Sequence, residues 1–292
     1  MERWKIGDVE IQRVVEFECP LVPPDVLLPQ ATKTNLEKHR NWLEPRLRDP
    51  ISGLLIISFH SFVIRTPRHV ILVDTCGGND KTRPQKLRYH LKNWPYIENL
   101  GAAGLKTSDI DFVLCTHLHV DHVGWNTRLV DGRWVPTFPN AKYLFAKKEW
   151  EFWEAEYKSV QFTDDPYYED SILPVIDAGL TEFVEGDHVI DDWVRLEPSP
   201  GHTPGHICIH ISSGQSHAVM SGDLMHHPLQ CAEPDWSSCF CVDPSLSAIT
   251  RRNFLESYAD TSTLVMPAHF PTPGAGQIIS FDDTWRFNFD ND

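Results

Sequence analysis

The stretch Thr116-His117-Leu118-His119-Val120-Asp121-His122 sets four potential metal ligands close together, directly after the apolar run Phe112-Val113-Leu114-Cys115. In an extended segment the side chains at i and i+2 point the same way, so the imidazoles of His117 and His119 can reach one ion. Asp121 and His122 follow where the chain must turn, and they can serve a second ion beside the first. Histidine offers a neutral nitrogen suited to zinc and its neighbours, and aspartate an anionic oxygen. Two adjacent dications repel each other, so a shared carboxylate and a bridging hydroxide would help to hold them together. A histidine taken at random from the 15 in the chain would be structural or exposed. This cluster, at the end of a buried strand, reads instead as half of a dinuclear site.

Outward from it, residues 54–64 and 70–74 read as paired strands turned through Thr66-Pro67-Arg68. A helix at 96–103 is closed by Gly104, and 112–115 is the short buried strand. Residues 141–145 read as another strand, followed by a helix from Lys147 to about Tyr157. The second half repeats this logic. A strand at 194–197 leads into Ser199-Pro200-Gly201-His202-Thr203-Pro204-Gly205-His206. Residues 207–211 and 217–221 pair through Ser212-Ser213-Gly214-Gln215 and run into Gly222-Asp223. A helix at 245–259 precedes a last strand, 264–266, that delivers Pro267-Ala268-His269. Strands thus end repeatedly in His or Asp. Upstream, residues 9–17 alternate as a half-buried strand. Pro20, Pro23, Pro24 and Pro29 follow, then a polar helical stretch at 34–43. So long an insertion between strands reads as a lid or binding loop, or as a surface arm that makes a subunit contact.

The segment His117-Leu118-His119-Val120-Asp121-His122 fits H-x-H-x-D-H and resembles the signature of the metallo-β-lactamase superfamily. The remaining elements come in that family's order: Asp74 in Val73-Asp74-Thr75, His202 in Gly201-His202-Thr203, Asp223 in Ser221-Gly222-Asp223, and His269. The resemblance covers about residues 50–275. It implies an α/β fold, a four-layer αβ/βα sandwich of two mixed sheets flanked by helices. The expected organisation is a single domain over 1–292 with a Pro-rich arm or lid at about 18–50. By the same resemblance His117, His119 and His202 hold one metal, and Asp121, His122 and His269 the other. Asp223 bridges them, while Asp74 orients the ligand loop without binding metal. His206 is structural in this scheme.

The stretch from Gly222 to Gln230, with Pro234-Asp235-Trp236, Asp243-Pro244 and Thr250-Arg251-Arg252, is similar to the branch containing methyl parathion hydrolase and acyl-homoserine lactonases. That similarity implies two divalent ions, zinc first, with Mn, Fe, Co or Ni as alternatives. A metal-bound hydroxide would attack a lactone or another carboxylic ester, and Asp121 and Asp223 would steer its proton. Lactonases of this branch carry a Tyr three residues after the bridging Asp. His226 stands there in this chain, either to orient substrate and protonate a leaving group or as a structural residue. Trp125, Trp236 and Phe270, close to ligands along the chain, are candidates for the pocket wall. The expected partner is a small, partly apolar ester or lactone, acted on by a homodimer; quorum quenching would be the corresponding role. A phosphotriester (organophosphate) hydrolase is the alternative. A thioesterase for a glutathione-like acid finds no clear basic cluster in the sequence. An iron-dependent oxidoreductase of this fold would use fewer ligands.

Composition narrows the classes further. A formal net charge of −15 is adverse to a nucleic-acid partner. With 41% hydrophobic residues and 10 Trp the chain can bury a substantial core. Its apolar runs are of strand length, too short to span a membrane. The 7 cysteines are an odd number without disulfide-framework spacing, and Cys239-x-Cys241 is not C-x-x-C. With no apolar leader at Met1-Glu2-Arg3, these features suggest a reducing, cytoplasmic setting.

Overall fold

Alternate residues of single strands enter two different apolar layers in the computed structural model, which describes residues 2–159 and 166–289. Strands β1 (Arg3–Ile6), β2 (Val9–Val22), β3 (Leu55–Arg65) and β4 (Val70–Val73) pair antiparallel in succession. β5 (Phe112–Leu114) joins β4 in parallel. β6 (Thr127–Val130) and β7 (Arg133–Pro136) form a separate hairpin, turned by Asp131 and Gly132 at φ 50° and 75°. β8 (Lys142–Ala146) and β9 (Thr181–Val184) complete a seven-stranded sheet of order β1-β2-β3-β4-β5-β8-β9. The second sheet has six strands in sequence order: β10 (Val194–Pro198), β11 (Ile207–Ser213), β12 (Ser216–Gly222), β13 (Leu264–Pro267), β14 (Gly276–Phe281) and β15 (Thr284–Phe289). Only β12 and β13 pair in parallel within it.

The sheets face each other across an inner layer. Ile71, Val73, Leu114 and Leu144 come from the first sheet, and Ile207, Ile209, Met220 and Met266 from the second. Their neighbours along the same strands, Leu72, Val113, Tyr143, Cys208, Val219 and Val265, point outward into a second apolar cluster. Strands covered on both faces read as continuous apolar runs. Each aliphatic side chain fully withdrawn from water there contributes roughly 1.5–3 kcal/mol.

Helices close the outer layers. The arm carries the short helices α1 (Pro24–Leu27), α2 (Lys33–Glu37) and α3 (Arg40–Leu43). α4 (Tyr96–Ala102) packs on β2, and α5 (Lys147–Lys158) on β8. α6 (Leu173–Asp177) and α7 (Leu229–Ala232) are short, and α8 (Pro244–Tyr258) packs on β14. The four-layer α/β sandwich expected from the sequence is therefore the fold.

Some boundaries differ from the sequence reading. Residues 18–22, expected in the arm, continue β2, with Cys19 opposite Ile57 and Pro20 opposite Ile56. The register shifts between Pro20 and Val22, an irregularity that accommodates a residue with no amide proton. The helical stretch at 34–43 is two short helices, the first capped by Thr32, whose hydroxyl accepts from the Asn35 amide. β1, β6, β7, β9, β14 and β15 were not expected. The Asp131-Gly132 pair was a readable hairpin signal. All seven cysteines are free, with Cys76, Cys115, Cys208 and Cys231 buried. No helix among the described residues is long and apolar enough to cross a membrane.

Candidate metal centre

The expected ligands all leave the carboxyl ends of strands. His117, His119, Asp121 and His122 follow β5, His202 follows β10, Asp223 follows β12 and His269 follows β13. Asp74, just beyond β4, adopts φ 56°. Asp tolerates this left-handed geometry better than most residues. Its carboxylate accepts from the Thr116 amide at 2.8 Å and the Thr116 hydroxyl at 2.9 Å. It also lies 2.9 Å from His122 Nδ1. The start of the ligand loop is thereby tied to the neighbouring strand.

The side chains fall into two groups. His117, His119 and His202 with Asp223 form one, and Asp121, His122 and His269 the other, with the ligand atoms of each group within 4.8 Å of one another. In the first, His117 Nε2, His119 Nδ1 and His202 Nε2 stand 2.9 to 3.1 Å apart. Asp223 lies between the groups. Its Oδ2 is 3.3 Å from His202 Nε2 and 3.7 Å from His117 Nε2. Its Oδ1 is 3.1 Å from His269 Nε2 and 3.2 Å from His122 Nε2.

These contacts are the wrong kind for a self-satisfied network. His269 Nδ1 lies 3.0 Å from the Ser58 carbonyl oxygen, and His122 Nδ1 2.9 Å from Asp74. Both oxygens can only accept, so a neutral ring at either position carries its proton on Nδ1 and turns the Nε2 lone pair inward. The two lone pairs face the Asp223 carboxylate, and neither His122 Nε2 nor Asp223 Oδ1 has a hydrogen-bond partner. Buried atoms so arranged repel unless a cation stands among them. The donor set of imidazole nitrogens and carboxylate oxygens suits zinc and similar divalent ions. The residues fit a pair of metals.

Electrostatics agree. Burial opposes charge on His122, but Asp223, Asp74 and Asp121 overcome it and lift its pKa well above the ordinary imidazole value. His269 is likewise raised, against burial, chiefly by Asp223. Burial would raise Asp223, yet the rings of His269, His122, His226 and His117 hold it well below the carboxylate range. Positive charge is demanded where the metals would sit. Burial keeps His117 and His202 well below the usual value and His119 at about 4, leaving neutral nitrogens for coordination.

Five further residues brace the candidate ligands, and of these the sequence had pointed only to His206, as a structural residue. Glu149, buried on α5, accepts from the Leu118 amide at 3.0 Å and the Gly205 amide at 3.0 Å, joining the two histidine loops. Trp153 Nε1 donates to the same carboxylate at 2.6 Å. His206 Nε2 accepts from the Asp223 amide at 3.0 Å, so this histidine positions a ligand. Cys241 Sγ lies 3.6 Å from His202 Nδ1. The Tyr89 hydroxyl donates to Asp121 Oδ2 at 3.0 Å. Tyr89 comes from a segment without regular structure, where no spacing rule announces it.

A cavity of about 790 Å³ opens over the two groups. His119, Asp121, Asp223, His226 and His269 reach it, beside Phe59, Tyr89 and Trp153 and, from β2 and the arm, Leu21, Val22 and Leu27. His226 Nε2 is 3.2 Å from Asp223 Oδ2, while its buried Nδ1 has no partner. The three aromatics expected in the wall are elsewhere. Trp125 is turned by the short helical segment Gly124–Asn126, so that its Nε1 donates to Glu16 at 2.7 Å and its ring stacks on Tyr96. Phe270 turns away from His269 into the core, edge-on to Phe287. Trp236 is buried beside His39. Packing decided these orientations, and large apolar rings gain most where water is absent.

Comparison with known proteins gives the same frame. The Metallo-beta-lactamase superfamily profile matches residues 60–269. An N-acyl homoserine lactonase of Bacillus cereus is 29% identical over 121 residues, 41% of this chain and 40% of that protein. The N-acyl homoserine lactonase AttM of Azorhizobium caulinodans is 26% identical over 168 residues, 50% of this chain and 56% of the relative. The matches thus span about half the length of these relatives or less. Among solved structures, the hydrolase AbOPH superposes with a TM-score of 0.81 at 22% identity, covering 99% of this chain and 97% of that one. AidC, a dizinc quorum-quenching lactonase, gives 0.78 at 21% identity, covering 100% and 97%. A profile match that runs from β3 to the last ligand, on a fold shared from end to end with both structures, makes this chain a member of the metallo-β-lactamase superfamily.

Proposed function

We propose that this chain is a dinuclear metal-dependent hydrolase acting on lactones or related carboxylic esters of compact, partly apolar shape. The observation that carries the reading is Asp223, whose two oxygens face two separate ligand groups. His117, His119 and His202 would hold one ion, Asp121, His122 and His269 the other, with Asp223 shared. Such ions supply an acidified water and polarise the ester carbonyl.

The chain's own residues then arrange the reaction. Leu21, Val22, Leu27 and Phe59 would shelter the apolar part of the substrate, with the segment around α1 serving as a lid. Asp121 and Asp223 reach the cavity floor and would take up the proton as water adds to the carbonyl carbon. The acyl–oxygen bond breaks, and the departing alkoxide gains a proton to give a hydroxy acid from a lactone, or an acid and an alcohol from an ester. His226, with one ring nitrogen against Asp223 and the other without a hydrogen-bond partner, would orient the substrate or protonate the leaving group during that step. The reading carries with it a homodimer, which sedimentation of the purified protein tests.

The decisive experiment is a hydrolysis screen of the metal-loaded protein on acyl-homoserine lactones, simple lactones, aryl esters and a phosphotriester. Turnover concentrated on lactones and esters, abolished in His119→Ala, supports the reading. A marked preference for the phosphotriester would replace it. The second ligand group Asp121–His122–His269 favours two ions over the single iron of an oxygenase, and metal analysis of the loaded protein checks that count.

A further inference from the structure

Resting on the hydrolase reading, we propose that the cavity recognises substrates carrying a carboxylate remote from the ester bond, and that Arg88 is the residue that binds it. Arg88 lines the cavity over the metal groups and is only half exposed. Among the described residues its guanidinium makes no hydrogen bond or ion pair. The fully buried arginines, by contrast, each have partners for their terminal nitrogens. Arg13 reaches Glu18 at 2.8 Å, Arg83 grips both oxygens of Asp170 at 2.6 and 2.7 Å, and Arg251 donates to the carbonyls of Pro234 and Leu224. A partly desolvated guanidinium with no partner has its binding capacity in reserve, and its planar fork matches a carboxylate.

The surroundings favour an anion. Among the described residues, the acidic side chains in the cavity wall are Asp121 and Asp223, and both belong to the ligand groups. With two divalent ions in place their charge is neutralised. Arg88 then adds to the loaded cavity a positive charge that no described residue offsets, within a chain of net charge −15. A positive cleft with apolar walls concentrates anionic ligands.

Arg88 is also held in place. At the base of its segment, Arg83 is clamped by Asp170, and the Lys81 ammonium donates to Thr127 at 2.6 Å. Next to Arg88, the Tyr89 hydroxyl is bound to Asp121. A guanidinium presented between two anchors loses less freedom on binding than one on a loose loop. Leu21, Val22, Leu27 and Ile57 share the cavity, so the favoured substrate is an ester or lactone with a short apolar spacer ending in a carboxylate.

The test compares two esters of equal chain length, 4-nitrophenyl hydrogen glutarate and 4-nitrophenyl pentanoate, on the metal-loaded protein. The ratio of their kcat/KM values should favour the glutarate in the wild type. It should fall roughly tenfold or more in Arg88→Met, mainly through KM, with Arg88→Lys in between. A ratio unchanged by Arg88→Met would overturn the proposal, even if both esters were turned over well. If neither ester is hydrolysed and the lactones of the screen are inert as well, the hydrolase reading fails by itself. Calorimetric binding of glutarate and pentanamide to the loaded protein then decides the anion site. Roughly tenfold weaker glutarate binding in Arg88→Met upholds it, and equal binding sinks it. Thermal melting of both variants verifies that they are folded.

Discussion

The hydroxyl of Tyr89 donates to Oδ2 of Asp121 across 3.0 Å, linking an irregular segment to the candidate metal-binding loop. Asp121 otherwise lies 3.7 Å from His269 and 4.0 Å from His122. The phenol occupies one carboxylate oxygen and thereby fixes how the other is presented. Groups that orient ligands in this way are commonly worth about 10–100-fold in metal affinity. Tyr89→Phe should therefore bind its second metal equivalent about tenfold more weakly, while the first equivalent changes little. Stepwise metal titration followed by elemental analysis reads this directly. Identical affinity for both equivalents would show that the hydrogen bond is incidental.

Metal removal should destabilise the fold as well as stop turnover. The inward lone pairs of His122 and His269 confront Asp223. An ion that binds only the native state, at 100 to 1,000 times its dissociation constant, adds roughly 3–4 kcal/mol. Scanning calorimetry with chelator and with added zinc should show a clear upward shift in Tm on loading. No shift would mean that the two groups do not hold ions tightly.

Glu149 draws the buried Leu118 and Gly205 amides and the half-buried Trp153 indole onto one carboxylate. Glu149→Ala leaves all three without a partner. Each orphaned buried donor costs about 1–3 kcal/mol. The variant should lose several kcal/mol in urea unfolding and bind metal more weakly, because the loops of His119 and His202 are no longer joined. A loss below ~1 kcal/mol would mean that the loops are held by other contacts.

The aromatics separate core from pocket. Phe270, fully buried against Phe287, should act on stability alone. Trp153 lines the cavity, edge-on to His119. Phe270→Leu should lower the unfolding free energy by about 1–3 kcal/mol with KM unchanged. Trp153→Ala should raise KM several-fold. Steady-state kinetics on folded material, beside denaturant melts, distinguish the two, and the opposite pattern would return Phe270 to the pocket.

Glu16 bears on pH dependence. Burial pushes its carboxyl up to about 7, against the opposing hydrogen bonds from the Gly77 and Gly78 amides and the Trp125 indole. A carboxyl raised in the folded state holds its proton there while the unfolded chain releases it. Its contribution therefore favours folding at low pH and is lost as pH rises from about 4.5 to about 7. In metal-free protein the wild-type stability should fall relative to Glu16→Gln across that window, by at most about 1.4 kcal/mol per pH unit. Parallel urea-unfolding curves for the two proteins would remove Glu16 as the cause.

What the sequence determined by itself was the frame and the candidate ligand positions. Two-sided burial makes the strands Val70–Val73, Phe112–Leu114 and Leu264–Pro267 apolar runs, and the polar residues just beyond them stand out by contrast. The i, i+2 alternation of extended backbone put His117 and His119 on one face, and the ordered Asp74, His202, Asp223 and His269 completed a pattern specific enough to imply the sandwich. Only the tertiary structure decided what surrounds that centre. Tyr89, Glu149 and Cys241 reach the ligands from remote segments, and their contacts depend on how loops close rather than on spacing along the chain. Trp125 and Phe270 lie beside ligand segments in sequence yet face the core, because packing and hydrogen bonding set side-chain direction there. Arg88 belongs to a stretch with no periodicity at all. It joins the cavity because Arg83 and Asp170 anchor one end of that stretch, while Tyr89 and Asp121 anchor the other.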